Sequence, residues 1–191
     1  MLIRLIAVAM IGAAVYAQHA KPVIDNERVT VWDVTGEPRL VRTFDHDVVV
    51  MQLTGSHART ATFIPKGGAY KPAGARSLLV ELKDHPVPRL ENKTGYPPAF
   101  PRPRAVKLLE NDRVIAWSYR WNPGEPTPMH FHDKDVVVVY LEPTALTSTT
   151  PEGTKTLNEY QAFDIRFNKG DRTHTELLER GTGSAMMLEL K

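Results

Sequence analysis

Residues 124–141 read GEPTPMHFHDKDVVVVYL and residues 36–53 read GEPRLVRTFDHDVVVMQL; laid over each other without a gap, nine of the eighteen positions are identical. Each copy runs from a turn-forming Gly-Glu-Pro into a valine run of strong β character. The likeness continues outward. Residues 25–32 (DNERVTVW) resemble 110–117 (ENDRVIAW), and residues 80–83 (VELK) resemble the last four, 188–191 (LELK). Two related halves that begin and end alike are therefore expected, at 18–83 and 109–191, and self-similarity of this kind marks repetition of one structural unit.

The remaining apolar residues keep the short, alternating, β-branched rhythm of strands, as in Val29 to Val34 and Val114 to Trp121, and Gly and Pro punctuate them at close intervals. The expected class is all-β, a sandwich or barrel. Residues 84–108 hold six prolines and no sustained period, which marks an extended connection. Its Arg102, Arg104 and Lys107 read as solvated linker charge rather than an anion-binding patch.

With 191 residues, 42% of them apolar, the chain can fill a core, and a net charge of +2 leaves no electrostatic footprint for nucleic acid or an anionic membrane. A small-molecule ligand or substrate is the expected partner; packing of the halves within one chain or across a homodimer is left open. Residues 1–17 carry one charge, Arg4, then an apolar run ending in Val15-Tyr16-Ala17. This is the pattern of a signal peptide cut before Gln18, and the run is too short to span a bilayer comfortably. An exported protein, periplasmic or secreted and without a stable membrane span, follows. No cysteine is present, so disulfides and thiolate metal sites are excluded, and any metal must be held by nitrogen and oxygen.

His130 and His132 stand two apart on a strand, which puts both imidazoles on one face, with Met129 and Phe131 on the other. His174 lies some forty residues on, where antiparallel pairing can bring it across. Three converging imidazoles suit one divalent transition ion, Fe, Mn, Ni, Cu or Zn, and not calcium or magnesium, which want oxygen. His19, His46, His57 and His85 lack partners at ligand spacing and read as solvated side chains.

Gly124, His130 and His132 match the opening of the first motif of the cupin superfamily, and Asp164, Phe167, Gly170 and His174 loosely match the second. The C-terminal half thus resembles a cupin over about 80 residues and the N-terminal half more weakly through the repeat. The resemblance implies a jelly-roll barrel, complete in the C-terminal half and smaller and degenerate in the N-terminal half, with the metal inside the barrel. The cupin glutamate position falls at Val136 or Val137. Asp135 is a substitute, but it aligns with Asp47 in the half without histidines and reads better as a turn residue. There Arg42 and Phe44 replace His130 and His132, and Lys71 or a neighbour replaces His174, so no metal site is expected.

Ile115, Trp117, Tyr119 and Trp121 share one strand face and read as core before cavity lining; Met186 and Met187 read as core filling. No Gly-X-Ser-X-Gly elbow, His-Glu-X-X-His helix or glycine-rich phosphate loop is present. Chemistry at a metal remains. A small-molecule oxygenase with a three-His site is one expectation, its ligand set resembling that of the thiol dioxygenases among cupins, and a non-catalytic metal- or ligand-binding cupin is the other.

Overall fold

A computed structural model describes residues 21–35, 42–72, 74–85, 87 and 90–191. The leader and the opening of the first repeat copy lie outside the described residues. Those described hold sixteen strands and no helix, so no helix among them is long and apolar enough to cross a membrane.

The N-terminal half carries β1 (Ile24–Asp25), β2 (Val29–Thr35), β3 (Arg42–Thr43), β4 (Asp47–Gln52), β5 (Thr60–Ile64), β6 (Ala69–Tyr70) and β7 (Arg76–Leu82). The C-terminal half carries β8 (Val106–Glu110), β9 (Val114–Arg120), β10 (His130–His132), β11 (Asp135–Tyr140), β12 (Thr144–Thr149), β13 (Lys155–Tyr160), β14 (Ile165–Asn168), β15 (Arg172–Gly181) and β16 (Ser184–Leu190). The first strand of this half thus starts at Val106, inside the stretch expected as linker.

One five-stranded antiparallel sheet runs β1-β2-β7-β4-β5 and another β8-β9-β16-β11-β14. Their registers agree residue for residue. Val29 and Asp47 both lie opposite Leu82, and Val114 and Asp135 both lie opposite Leu190.

The two sheets pack face to face within the chain. Their shared core takes Val29, Val31, Val49, Met51, Leu53, Leu78, Val80 and Leu82 from the first and Val114, Ala116, Val137, Val139, Leu141, Met186, Leu188 and Leu190 from the second, all buried. Each set holds the same positions of its own sheet, because alternate residues of a strand share a face. Burying sixteen such side chains is the main apolar gain of the fold.

The opposite faces turn into the interior of each half. In the C-terminal half a four-stranded sheet, β10-β15-β12-β13, closes over Trp117, Tyr119, Trp121, Val136, Val138, Tyr140 and Met187. The aromatic face of β9 is therefore core, as expected, and so are both methionines, Met186 between the sheets and Met187 inside the barrel. Among the described residues of the N-terminal half, the two-stranded β3-β6 covers Phe44, Val48, Val50 and Leu79. This half is the smaller, and a bulky Phe44 fills its interior.

Asp135 is not a turn residue. It opens β11, its Oδ2 accepting from Arg28 Nη1 at 3.1 Å and its Oδ1 from the Gly170 amide at 2.8 Å. Gly170 permits this approach, since a Cβ there would meet the backbone carbon of Lys134 at 3.2 Å.

Candidate metal centre

Strand β10 pairs antiparallel with β15, placing His130 opposite His174 and His132 opposite Arg172. The turn before β10 needs the positive φ of Gly124, +73°. The pairing answers the expectation that antiparallel contact brings the third imidazole across. Nε2 of His132 lies 3.2 Å from Nε2 of His130 and 3.3 Å from Nε2 of His174. All three side chains are buried, at 2%, 8% and 9% exposure, so three ring nitrogens meet at one point away from bulk water. The group can hold a metal ion.

The protonation states fit that use. Burial pushes His130 down to about 4, assisted by the Arg102 charge. Burial likewise depresses His132 far below the usual imidazole value, and depresses His174 against the opposing pull of Glu176. The rings are neutral, with lone pairs available. For His130 the tautomer follows from its contacts: Nδ1 donates to the Pro128 carbonyl at 2.8 Å, leaving Nε2 for the common point. An all-nitrogen set of this kind fits a first-row transition ion.

Sequence reasoning missed two residues here. Glu176 is on the same face of β15 as His174, two residues on, and its Oε1 lies 3.8 Å from His174 Nε2. Oε2 accepts from Trp121 Nε1 at 3.0 Å and faces Arg102 Nη2 at 3.5 Å. Burial favours its protonated form, yet the charge of Arg102 leads the influences that outweigh it and hold Glu176 below the ordinary carboxylate range. The His174-X-Glu176 spacing was the available signal.

Arg102 is the second. Its side chain is only 6% exposed, so its reading as a solvated linker charge is wrong, whereas Arg104 and Lys107 of the same stretch are surface groups paired with Glu125 and Glu110. The cause lies in the connection. Phe131 donates its amide to the Pro97 carbonyl and accepts from the Ala99 amide, both at 2.8 Å, so residues 97–99 lie along β10 and carry Arg102 inward. There its guanidinium stacks 3.9 Å over Tyr119 and reaches His130 Nε2 at 3.2 Å.

The other histidines stay apart from the site. His57 and His85 are exposed, and His19 lies outside the described residues. His46, expected as solvated, is instead half-buried and bonded through Nδ1 to Glu81 at 3.1 Å. In the N-terminal half Arg42 faces Tyr70 across β3-β6, as His130 faces His174, which puts Tyr70, the neighbour of Lys71, at the third position. Arg42, Phe44 and Tyr70 give no metal site.

No protein-family model and no curated protein sequence matches the chain. Solved structures do. An oxalate decarboxylase from Bacillus subtilis, described for its Mn(II) centres, is 12% identical over 86% of this chain and 68% of its own, with a TM-score of 0.54. A cupin 2 conserved barrel domain protein from Leptotrichia buccalis is 8% identical over 89% of this chain and 87% of its own, at a TM-score of 0.48. A cupin domain from Bordetella pertussis is 26% identical over 48% of this chain and 97% of its own, at 0.42. The chain has the fold of the cupin superfamily, all-β and of jelly-roll type.

Proposed function

We propose that the protein is an exported cupin that binds one divalent transition metal through His130, His132 and His174 and acts on a small molecule as an oxygenase. The observation that carries the reading is the convergence of three buried, neutral imidazoles beside the ionised carboxylate of Glu176. A redox-active ion on the three imidazoles would supply Lewis acidity and single electrons.

The chain's own residues supply the rest. The barrel excludes water, which strengthens every polar interaction inside. Trp121 and Arg102 hold Oε2 of Glu176, leaving Oε1, the oxygen that faces His174, to take a proton from a bound substrate.

The test is elemental analysis of protein purified from its native compartment, followed by an oxygen-uptake screen against small molecules. The expected result is about one ion per chain and substrate-dependent uptake that Glu176→Gln abolishes without loss of metal. A second reading, a non-catalytic metal- or ligand-binding cupin, is favoured by the Arg102 guanidinium on His130 Nε2, where it competes with any ion for that lone pair. Metal without uptake for any substrate supports this second reading.

A further inference from the structure

A cavity of about 160 Å³ opens beside the three imidazoles, lined among others by His132, His174, Glu176, Arg102 and Arg172. Arg172 makes no contact ion pair there, with Glu176 and Asp135 acting on it only at longer range. Its Nε donates to the Lys169 carbonyl at 2.8 Å, and among the described residues no carboxylate lies within ion-pairing distance of its guanidinium. The one acidic side chain of the cavity, Glu176, is engaged by Arg102 and Trp121.

Two guanidinium groups therefore face a single carboxylate in the cavity, and a divalent ion on the imidazoles would deepen that excess of positive charge. Arg172 is half-buried, and a partly desolvated charge gains from a partner; a guanidinium presents a planar fork of donors that matches a carboxylate. The rest of the cavity divides in two. Val136, Val138, Leu146 and Met187 form an apolar wall, while Ser148, Asn158 and Asn168 are polar.

We propose that this cavity binds a small organic carboxylate, with Arg172 gripping the carboxylate and the short carbon portion lying against the apolar wall. The proposal rests on the metal-binding reading for its full strength but not for its existence, because Arg172 lacks a partner with or without an ion. Inorganic phosphate is the less suited anion: it makes no use of the apolar wall, and its four oxygens require more donors than one free guanidinium provides.

The geometry assigns Arg172 to substrate grip rather than to holding the imidazoles. It stands opposite His132 across the β10-β15 pair, so its chain enters the cavity beside the ligand cluster and its removal leaves His130, His132 and His174 on their strands. Arg102, by contrast, touches His130 itself.

The experiment is calorimetric titration of the full chain, as isolated and after chelator treatment, with acetate, glycolate and malonate, each beside its uncharged amide and beside inorganic phosphate. Metal content is measured on the same samples. The expected result is binding of at least one carboxylate, none of its amide, and a loss of tenfold or more in Arg172→Gln that Arg172→Lys partly restores, with metal content unchanged in both variants. Equal binding by Arg172→Gln, equal binding of acid and amide, binding of phosphate alone or binding of nothing overturns the proposal. If metal is absent but carboxylate binding still depends on Arg172, the metal reading fails and this one stands; metal without carboxylate selectivity gives the reverse.

Discussion

The guanidinium of Arg28 lies 3.1 Å from the carboxylate of Asp135, joining the start of the first sheet to the start of β11 in the other half. Its counterpart runs the opposite way, Arg113 to Asp47 at 3.0 Å. Each arginine also donates to backbone carbonyls at the end of the partner half's last strand, Arg28 to Lys191 and Arg113 to Leu82 and Lys83. Two ion pairs with swapped donors clamp the sheets together at one end of the shared core, where Leu82 and Leu190 lie.

The two clamps differ in burial, 8% and 14% exposure for the side chains of Arg28 and Asp135 against 33% and 21% for Arg113 and Asp47. Arg28→Ala strands a buried carboxylate and is expected to lower stability by about 3 kcal/mol. Arg113→Ala, nearer to solvent, should cost about 1 kcal/mol. Urea unfolding of both variants checks the order, and equal losses would show that burial does not set it.

Each of His130→Ala, His132→Ala and His174→Ala should lose most bound metal, since two imidazoles on one strand leave an open site. Asp135→Ala should keep it, because that carboxylate is spent on Arg28 and Gly170. Arg42→His with Phe44→His should create no second site, as Tyr70 stands where a third imidazole is needed. Metal per chain by mass spectrometry decides all of these; full occupancy in His174→Ala sinks the three-histidine assignment.

Arg102→Met keeps apolar bulk over Tyr119 and removes a cation 3.2 Å from a ligand nitrogen. Metal affinity should rise by at least tenfold, about 1.4 kcal/mol, because an ion no longer has to displace a positive charge. Chelator competition measures it. Unchanged or weaker affinity would mean that Arg102 chiefly supports the site through Glu176.

Glu189, 2% exposed, is pushed up by burial, against a hydrogen bond in which Trp117 Nε1 donates to its Oε2 at 2.8 Å. A raised folded value means that the unfolded chain gives up this proton first as pH rises, so the contribution is full below the ordinary carboxylate value and declines above it. Glu189→Gln keeps an acceptor for Trp117 without the charge. It should match the parent near pH 4 and show the higher unfolding midpoint at pH 8, by thermal melts at both.

Much of this was legible in the residues because strand periodicity and pairing are local in nature. His130 and His132 share a face by alternation alone, and the valine runs mark the central strands. Arg102 was not legible: a proline-rich stretch has no period to say which side chain turns inward, and only its seating along β10 decides that. Asp135 was misjudged for a related reason. Its presence in both halves pointed to a structural role, but the partner that explains it lies 107 residues away, on the facing sheet.

The shared core has one consequence for behaviour in dilute solution. An interface of this kind between separate subunits would weaken as the protein is diluted, and its melting temperature would follow concentration. Here the two faces are tethered by the chain itself, so their encounter is set by an effective local concentration that dilution leaves untouched. The cavity that β11 and β16 help to wall therefore keeps its backing sheet however scarce the protein is.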